Sequence, residues 1–373
     1  MSQRGCATPD ATAAYARRMG GRTAEGHFRL TSDSLTVSGL GMGTLVGEPD
    51  DATDAAYQAA VERALAGGCN VIDTAINARH QRSERAVGQG LRAAIKRGDV
   101  KREEVVIATK GGFVPFDGAP PTDSRKWVYD RFIETGLAHP NDFAANYHHC
   151  LAPGFLDEMI ALSRRNLDVD TIDVYCLHNP ETQALTNTHD TFRRRMLDAF
   201  ETLEAAVERG EIAAYGVSTW SALRVSPNAP DFLSLAELMS LAFEVAGEQN
   251  HFCYVQMPYN LMMTEAYSFT TQQVGEEFLN PIEAANQLGL TVMTGATLKQ
   301  GLLATPFMAD LSPYFPNVET DAQRAIQFAR STPGVTTALV GMRTAAHVDE
   351  NLAVAQIPPT APDVINSLFG GGD

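Results

Sequence analysis

Short apolar runs rich in valine and isoleucine alternate along this chain with longer segments whose apolar residues recur every three or four positions. The short runs are SGLGMGT (38–44), CNVIDTA (69–75), EVVIATK (104–110), TIDVYCLH (171–178), AAYGVST (213–219), FCYVQM (252–257), GLTVMTG (289–295) and TTALVGM (336–342), eight in all. Between them lie amphipathic helical patterns such as 55–68, 157–167, 196–210 and 280–289, several ending in a glycine suited to a left-handed cap. Eight strand–helix units predict an α/β fold of the (β/α)8 TIM-barrel type. A doubly wound sheet is the alternative, but the glycine fingerprint GxGxxG does not follow the first run.

Two stretches fall outside the repeat. Residues 27–41 alternate Phe28 and Leu30 against Leu35 and Val37 around Ser32-Asp33-Ser34, which predicts a β-hairpin closing the barrel's bottom. Residues 1–26 read as a loose N-terminal arm, and 27–373 as a single barrel domain. After the third run, residues 111–155 separate a strand from its helix by far more than the usual few-residue connection. This lid-like insertion carries Pro115, Trp127, Tyr129, Phe132, Tyr147, His148 and His149, and βα loops line the active face of such barrels.

Composition narrows the class of partner. A formal charge of −16 disfavours nucleic acid and polybasic membrane attachment. No run approaches the ~20 apolar residues of a membrane helix, and no secretory h-region is visible. Five scattered cysteines without a CxxC pair fit reduced thiols and a cytoplasmic location. No His/Asp/Glu cluster has metal-ligand spacing, so no metal site is expected.

The candidate chemistry sits at strand ends: Asp73 after NVI, Lys110 after VVIAT and His178 after IDVYCL. Parallel barrel strands deliver such residues to one mouth. Singly, each has a plain structural reading, with Asp73 as a helix cap, Lys110 as a solvated charge and His178 as a turn residue.

In order along the chain, GLGMGT, IDTAINxRxxRSERAVG, the ATK strand end, IDVYCLHNPE, YGVST, VQMPYNL and VGMRTAAHVDENL resemble the aldo-keto reductases over nearly the whole length. The resemblance implies hydride transfer between NADPH and a small-molecule carbonyl substrate, and the proline- and aromatic-rich insertion points to a bulky or apolar one. It also implies a tetrad of Asp, Tyr, Lys and His, in which Lys110 held by Asp73 would lower the pKa of a tyrosine acid while His178 orients the carbonyl. The tyrosine's position is occupied by Ala78. Three accounts of that alanine stay open: a substituted form of an active reductase, a departure in which His80, Tyr147 or His149 supplies the acid, or a redox-neutral or sensing role.

For the cofactor, the resemblance implies NADP held by Ser218, Thr219 and Gln256 at the carboxamide, with Asn260 supporting that wall and Gly43 and Thr44 close to the ring. It places Gly341, Met342, Arg343, His347, Glu350 and Asn351 around the phosphate and adenine, at a helix start suited to anions. Ser218 alone would more simply be a helix cap. Where many members carry a stacking aromatic, this chain has Gly295 and Ala296. Either another aromatic, with Tyr259 the candidate, covers the ring or the cofactor is held more weakly, and Lys299 and Gln300 are candidates for the pyrophosphate. The functional expectation is an NADPH-dependent reductase impaired by Ala78; a redox-neutral lyase, isomerase or cyclase, or a weakly catalytic NADPH-sensing protein, are the alternatives. Oligomeric state is not legible.

Overall fold

β-Branched residues fill the short runs, and in a parallel sheet closed on itself both faces of each strand are buried. The computed structural model describes residues 3–305 and 310–370, so the first two residues of the arm and the last three of the barrel domain lie outside it. Eight parallel strands close in simple sequence order. They are β1 (Leu40–Gly43), β2 (Val71–Asp73), β3 (Val106–Gly111), β4 (Ile172–His178), β5 (Ile212–Ser218), β6 (Phe252–Pro258), β7 (Thr291–Gly295) and β8 (Thr337–Gly341). Each is followed by a principal helix: α1 (Asp51–Ala66), α2 (Arg82–Arg97), α3 (Pro153–Leu167), α4 (His189–Glu208), α5 (Leu235–Ala246), α6 (Pro281–Gln287), α7 (Asp321–Ser331) and α8 (Ala345–Leu352). The α/β barrel expected from the pattern is therefore the fold.

Alternate residues of every strand point inwards. Val71, Val106, Ala108, Val174, Cys176, Ala214, Tyr254, Met293 and Leu339 form the interior cluster, while their strand neighbours join the larger core beneath the helices. Close helix crossings depend on glycine. A β-carbon on Gly88 of α2 would stand 2.5 Å from the carbonyl oxygen of Leu167 in α3.

At the bottom, the hairpin Phe28–Leu30 with Thr36–Ser38 closes the barrel as expected. Leu35 and Val37 enter the interior, whereas Leu30 is exposed. The turn residue Asp33 accepts both bonds from the Tyr254 hydroxyl, at 2.8 and 2.9 Å.

The segment expected as a loose arm is different. Pro9–Met19 is a helix capped by Thr8, with Tyr15 buried and its hydroxyl donating to the Leu65 carbonyl at 2.6 Å. Upstream, the Ala7 amide donates to Asp173 Oδ1 at 2.5 Å. Asp173 also receives Arg102 Nη2 and the Ile107 amide, each at 2.7 Å, so a buried ion pair fastens the arm to the floor of the barrel.

The insertion between β3 and α3 is ordered around its own aromatic core. Trp127 packs on Phe116 and Phe132, and Phe132 packs on Phe155 of α3 with ring centroids 5.0 Å apart. A two-residue ladder, Phe143–Ala144 with His149–Cys150, brings the insertion back to the barrel mouth, where the Cys150 amide donates to the Gly112 carbonyl.

Candidate active site

Carrying the inward parity to the strand ends gives the last inward position of each strand: Gly43, Asp73, Lys110, His178, Ser218, Gln256, Gly295 and Gly341. The order around the barrel splits this set in two. Five polar side chains come from consecutive strands β2 to β6, and three glycines come from β7, β8 and β1. One half of the mouth is thus a row of functional groups, and the other is bare backbone.

Lys110 Nζ donates to Asp73 Oδ1 at 2.6 Å and to the Thr74 carbonyl at 2.8 Å. The lysine is therefore a nearly buried, paired ammonium and not a solvated charge, and Asp73 caps no helix. Burial pushes the Asp73 carboxyl above its usual range, against the pull of Lys110 and a hydrogen bond from Gln256. His178 is held neutral: burial, then the nearby Lys110 charge and His149, lower its pKa well below 6.5. A neutral imidazole can donate a hydrogen bond to a carbonyl oxygen without carrying the charge into the site.

Behind His178 stands His149, fully buried. Its Nε2 donates to the His178 carbonyl at 2.8 Å, and Gln183 Nε2 lies 3.1 Å from its Nδ1. The ring of Phe113 lies edge-on between the two imidazoles, 5.1 Å from His149 and 4.9 Å from His178. His149 is thereby engaged through both nitrogens, away from the mouth, and does not serve as a substitute acid. Tyr147 packs on Phe143 beside a surface cavity lined by Pro140, Asn141, Asn146 and Asn187, a cavity that none of Asp73, Lys110 and His178 lines. His80 lies against Phe116, and its carbonyl accepts the Gly118 amide.

These buried imidazoles give the fold a pH dependence. Burial lowers both His27 and His149 to about 4. The unfolded chain then binds protons below pH 6.5 that the native state refuses, so their stabilising effect is complete above 6.5 and is lost as pH falls towards 4. Urea unfolding at pH 5 should give a stability lower than at pH 7 by about 2 kcal/mol for each of these histidines. His149→Gln should shrink the difference; a variant with an unchanged pH slope would remove His149 from the account.

Ala78 is buried, and its carbonyl accepts the Ser83 amide at the start of α2. Three left-handed residues follow, Arg79, His80 and Gln81, with φ of 49°, 57° and 71°. This sharp path sends the Arg79 side chain sideways onto the β1–α1 loop and the first turns of α1. There its Nε donates to the Glu48 carbonyl at 2.8 Å, its Nη2 reaches Asp54 at 2.5 Å, and the guanidinium lies over the Tyr57 ring at 5.4 Å. The segment bearing Ala78 and the loop beside the glycine arc are thus one tied unit, a link that no local sequence pattern disclosed.

For the nicotinamide-side residues, the structure removes one competing explanation. Ser218 caps no helix, because α5 begins only at Leu235 and is capped by Ser234. Among the described residues, Gln256 Oε1, Thr219 Oγ1 and His178 Nδ1 are buried without a hydrogen-bond partner. Thr44 donates from its amide and hydroxyl to the Asp73 carbonyl, both at 3.1 Å. Asn260 spans from β6 to the next loop, donating to the Ala296 carbonyl at 2.9 Å.

Tyr259 is not at this wall. Gln256 faces in, so the residue three further on faces out; Tyr259 is buried against Phe328 at 5.2 Å with its hydroxyl 3.0 Å from Thr332 Oγ1. Lys299 extends to the Met262 sulfur, and Gln300 has a φ of 55° in the same loop.

On the β8 side, Arg343 is exposed at the start of α8, whose cap Thr344 accepts the His347 amide. A β-carbon on Gly47 would lie 3.5 Å from Arg343 Cδ, which puts the arginine beside the β1–α1 loop. The side chain of Met342 is buried in the core, leaving only its main chain near Gly341. His347 is exposed, Glu350 accepts a bond from Thr320 Oγ1 at 3.0 Å, and Asn351 is buried. Among the described residues, nothing within 4 Å would meet a β-carbon on Gly341, and on Gly295 only Gln256 Nε2 would, at 4.0 Å. The glycine arc is therefore a cradle that side chains would fill, leading from the polar groups to Arg343.

A closed parallel barrel whose mouth joins a Lys–Asp pair and a neutral histidine to a glycine-lined trough defines a class of α/β-barrel protein with its chemistry at the C-terminal ends of the strands. Residues 39–315 match the model of the aldo/keto reductase family, and the chain belongs to that family.

A probable voltage-gated potassium channel subunit beta of Oryza sativa subsp. japonica is 25% identical, covering 91% of this chain and 94% of its own. A 6-dehydroglucose reductase of Agrobacterium fabrum is 27% identical over 51% of this chain and 52% of its own. Among solved structures, an aldo/keto reductase of Klebsiella pneumoniae in complex with NADP and acetate has a TM-score of 0.59 at 20% identity, covering 94% of this chain and 96% of that one. One from Bacillus halodurans, in its holo form, has a TM-score of 0.59 at 18% identity, covering 91% and 95%. These two share the fold.

No described helix is long and apolar enough to cross a membrane. Among the described residues no group of three or more His, Cys, Asp or Glu could hold a metal ion.

Proposed function

We propose that this chain is an NADPH-dependent reductase of small carbonyl compounds whose turnover is slowed because Ala78 stands where a proton-donating tyrosine is expected. The observation that carries the reading is the split mouth: a paired Lys110–Asp73 and a neutral His178 on one side, and a glycine cradle leading to Arg343 on the other. The residues fit the cofactor. The unpartnered Gln256 Oε1 and Thr219 Oγ1, with Ser218, suit a carboxamide, the cradle admits a flat ring, and Arg343 at a helix start suits the 2′-phosphate. When bound, NADPH supplies the hydride.

The protein's own part is to orient the substrate and to handle the proton. His178 donates a hydrogen bond to the carbonyl oxygen and stabilises the negative charge that develops there. Lys110, fixed by Asp73, adds a positive field beside that oxygen. Position 78 contributes no proton, so the oxygen must draw it from solvent or from Lys110, a slower route.

Fluorescence titration tests the reading. NADPH should bind more tightly than NADH, and Arg343→Ala should weaken NADPH by about ten-fold while leaving NADH nearly unchanged. Failure of the protein to bind either nucleotide would overturn it. The likeness to a channel beta subunit favours a second reading, a nucleotide-sensing subunit. That reading gains support if NADPH binds but no variant of the chain turns over an aldehyde or ketone.

A further inference from the structure

Trp220 stands two residues beyond Ser218, just past the end of β5, and its residue surface is 53% exposed. Among the described residues no aromatic ring stacks on it. Its main chain, by contrast, is fixed from both sides. The amide donates to Glu181 Oε1 at 2.6 Å, and the carbonyl accepts from Arg224 Nε at 3.2 Å and Nη2 at 2.9 Å. Both charged residues are buried, Glu181 in the segment after β4 and Arg224 in the segment after β5. Arg224 is tied in turn to Glu265, after β6, at 2.6 Å. Burying charges is unfavourable unless they are paired or hydrogen-bonded. Here two of them, drawn from neighbouring loops, hold one peptide segment whose side chain gives nothing back to the core.

The position of that indole is informative. β5 lies opposite β1 in the closed strand order, so Trp220 stands across the mouth from the glycine arc, on the side of Lys110 and His178. The glycine part of the cofactor trough, from β7 to β1, lies across from it, and the carboxamide residues Ser218, Thr219 and Gln256 stand between the two. Phe113 already supplies an aromatic edge against His178. An exposed indole on a fixed main chain, two residues past the register partner of His178, is a surface for a flat or cyclic apolar ligand, because a ring offers it both area and favourable face or edge contacts.

We propose that Trp220 is the platform on which the ring of the substrate rests, and that it makes the site select aromatic or cyclic carbonyl compounds over short open-chain aldehydes. This rests on the reductase reading above, and the test separates the two. In the Ala78→Tyr protein, Trp220→Ala should lower kcat/KM for benzaldehyde by about ten-fold, mainly through KM, and that for propanal by less than about two-fold. Trp220→Phe should restore most of the benzaldehyde value. Equal losses for both aldehydes would make Trp220 a support of the mouth and overturn the proposal.

A second measurement needs no turnover. The chain has two tryptophans, so Trp127→Phe leaves Trp220 as the sole reporter. In the presence of NADP, acetophenone should quench its fluorescence saturably at concentrations where acetone does not. Saturable quenching without turnover by the Ala78→Tyr protein would sink the reductase reading and keep the platform. Turnover without preferential quenching would do the reverse.

Discussion

Ala78→Tyr should raise the rate of NADPH-dependent carbonyl reduction by a factor of ~10² to 10⁴, the usual worth of a positioned general acid. The groups that would activate a phenol are already in place: Lys110 Nζ is 2.6 Å from Asp73 Oδ1, and position 78 lies in the βα loop that begins directly after Asp73. A free phenol holds its proton near pH 10, and an adjacent ammonium lowers that value. The gain should therefore appear in kcat, with NADPH affinity little changed. Ala78→Phe is the control, since it adds the ring without the hydroxyl and should remain slow. A tyrosine variant that folds, binds NADPH and stays as slow as the phenylalanine one would remove the missing acid as the explanation.

The second large effect lies at the other end of the barrel. Asp173→Ala should destabilise the fold by about 3–5 kcal/mol, because it leaves the buried Arg102 guanidinium without its counter-ion. It also strips the acceptor from the Ala7 and Ile107 amides, so the N-terminal segment should loosen together with β3. Urea unfolding measures the loss, and amide exchange at Ala7 and Ile107 locates it. Replacing both partners by apolar residues, as in Arg102→Met with Asp173→Leu, should recover a large part of the ion-pair loss. A single variant within about 0.5 kcal/mol of the parent would show that the pair does not hold the floor.

The barrel and the polar half of its mouth were legible in the sequence because both follow from strand parity. Asp73, Lys110 and His178 each end a run whose alternate residues had to face inwards, whereas Ser218 and Gln256, which share that parity in the structure, came from the family resemblance. Applied one step further, the parity also excludes Tyr259, an odd number of positions from Gln256, from the ring wall. What sequence did not disclose depends on partners far along the chain. The helix Pro9–Met19 is held through Tyr15 to Leu65, and Ala7 just upstream of it to Asp173. Arg79 is carried against the β1–α1 loop by its left-handed backbone, a placement that no local pattern marks. Trp220 acquires meaning only through Glu181 and Arg224, whose burial is a property of the assembled loops.

The insertion after β3 has a bearing on how this scaffold can be rebuilt. Because Phe155 of α3 completes the stack of Phe132 and Trp127, and because His149 is bonded to the His178 carbonyl, the excursion cannot be trimmed to a short turn without uncovering a helix and releasing a strand end. A chimera meant to exchange it for another barrel's loop would have to import the first turn of the adjoining helix and a replacement for the imidazole. Grafts bounded at Gly111 and Pro153 alone should yield insoluble chains.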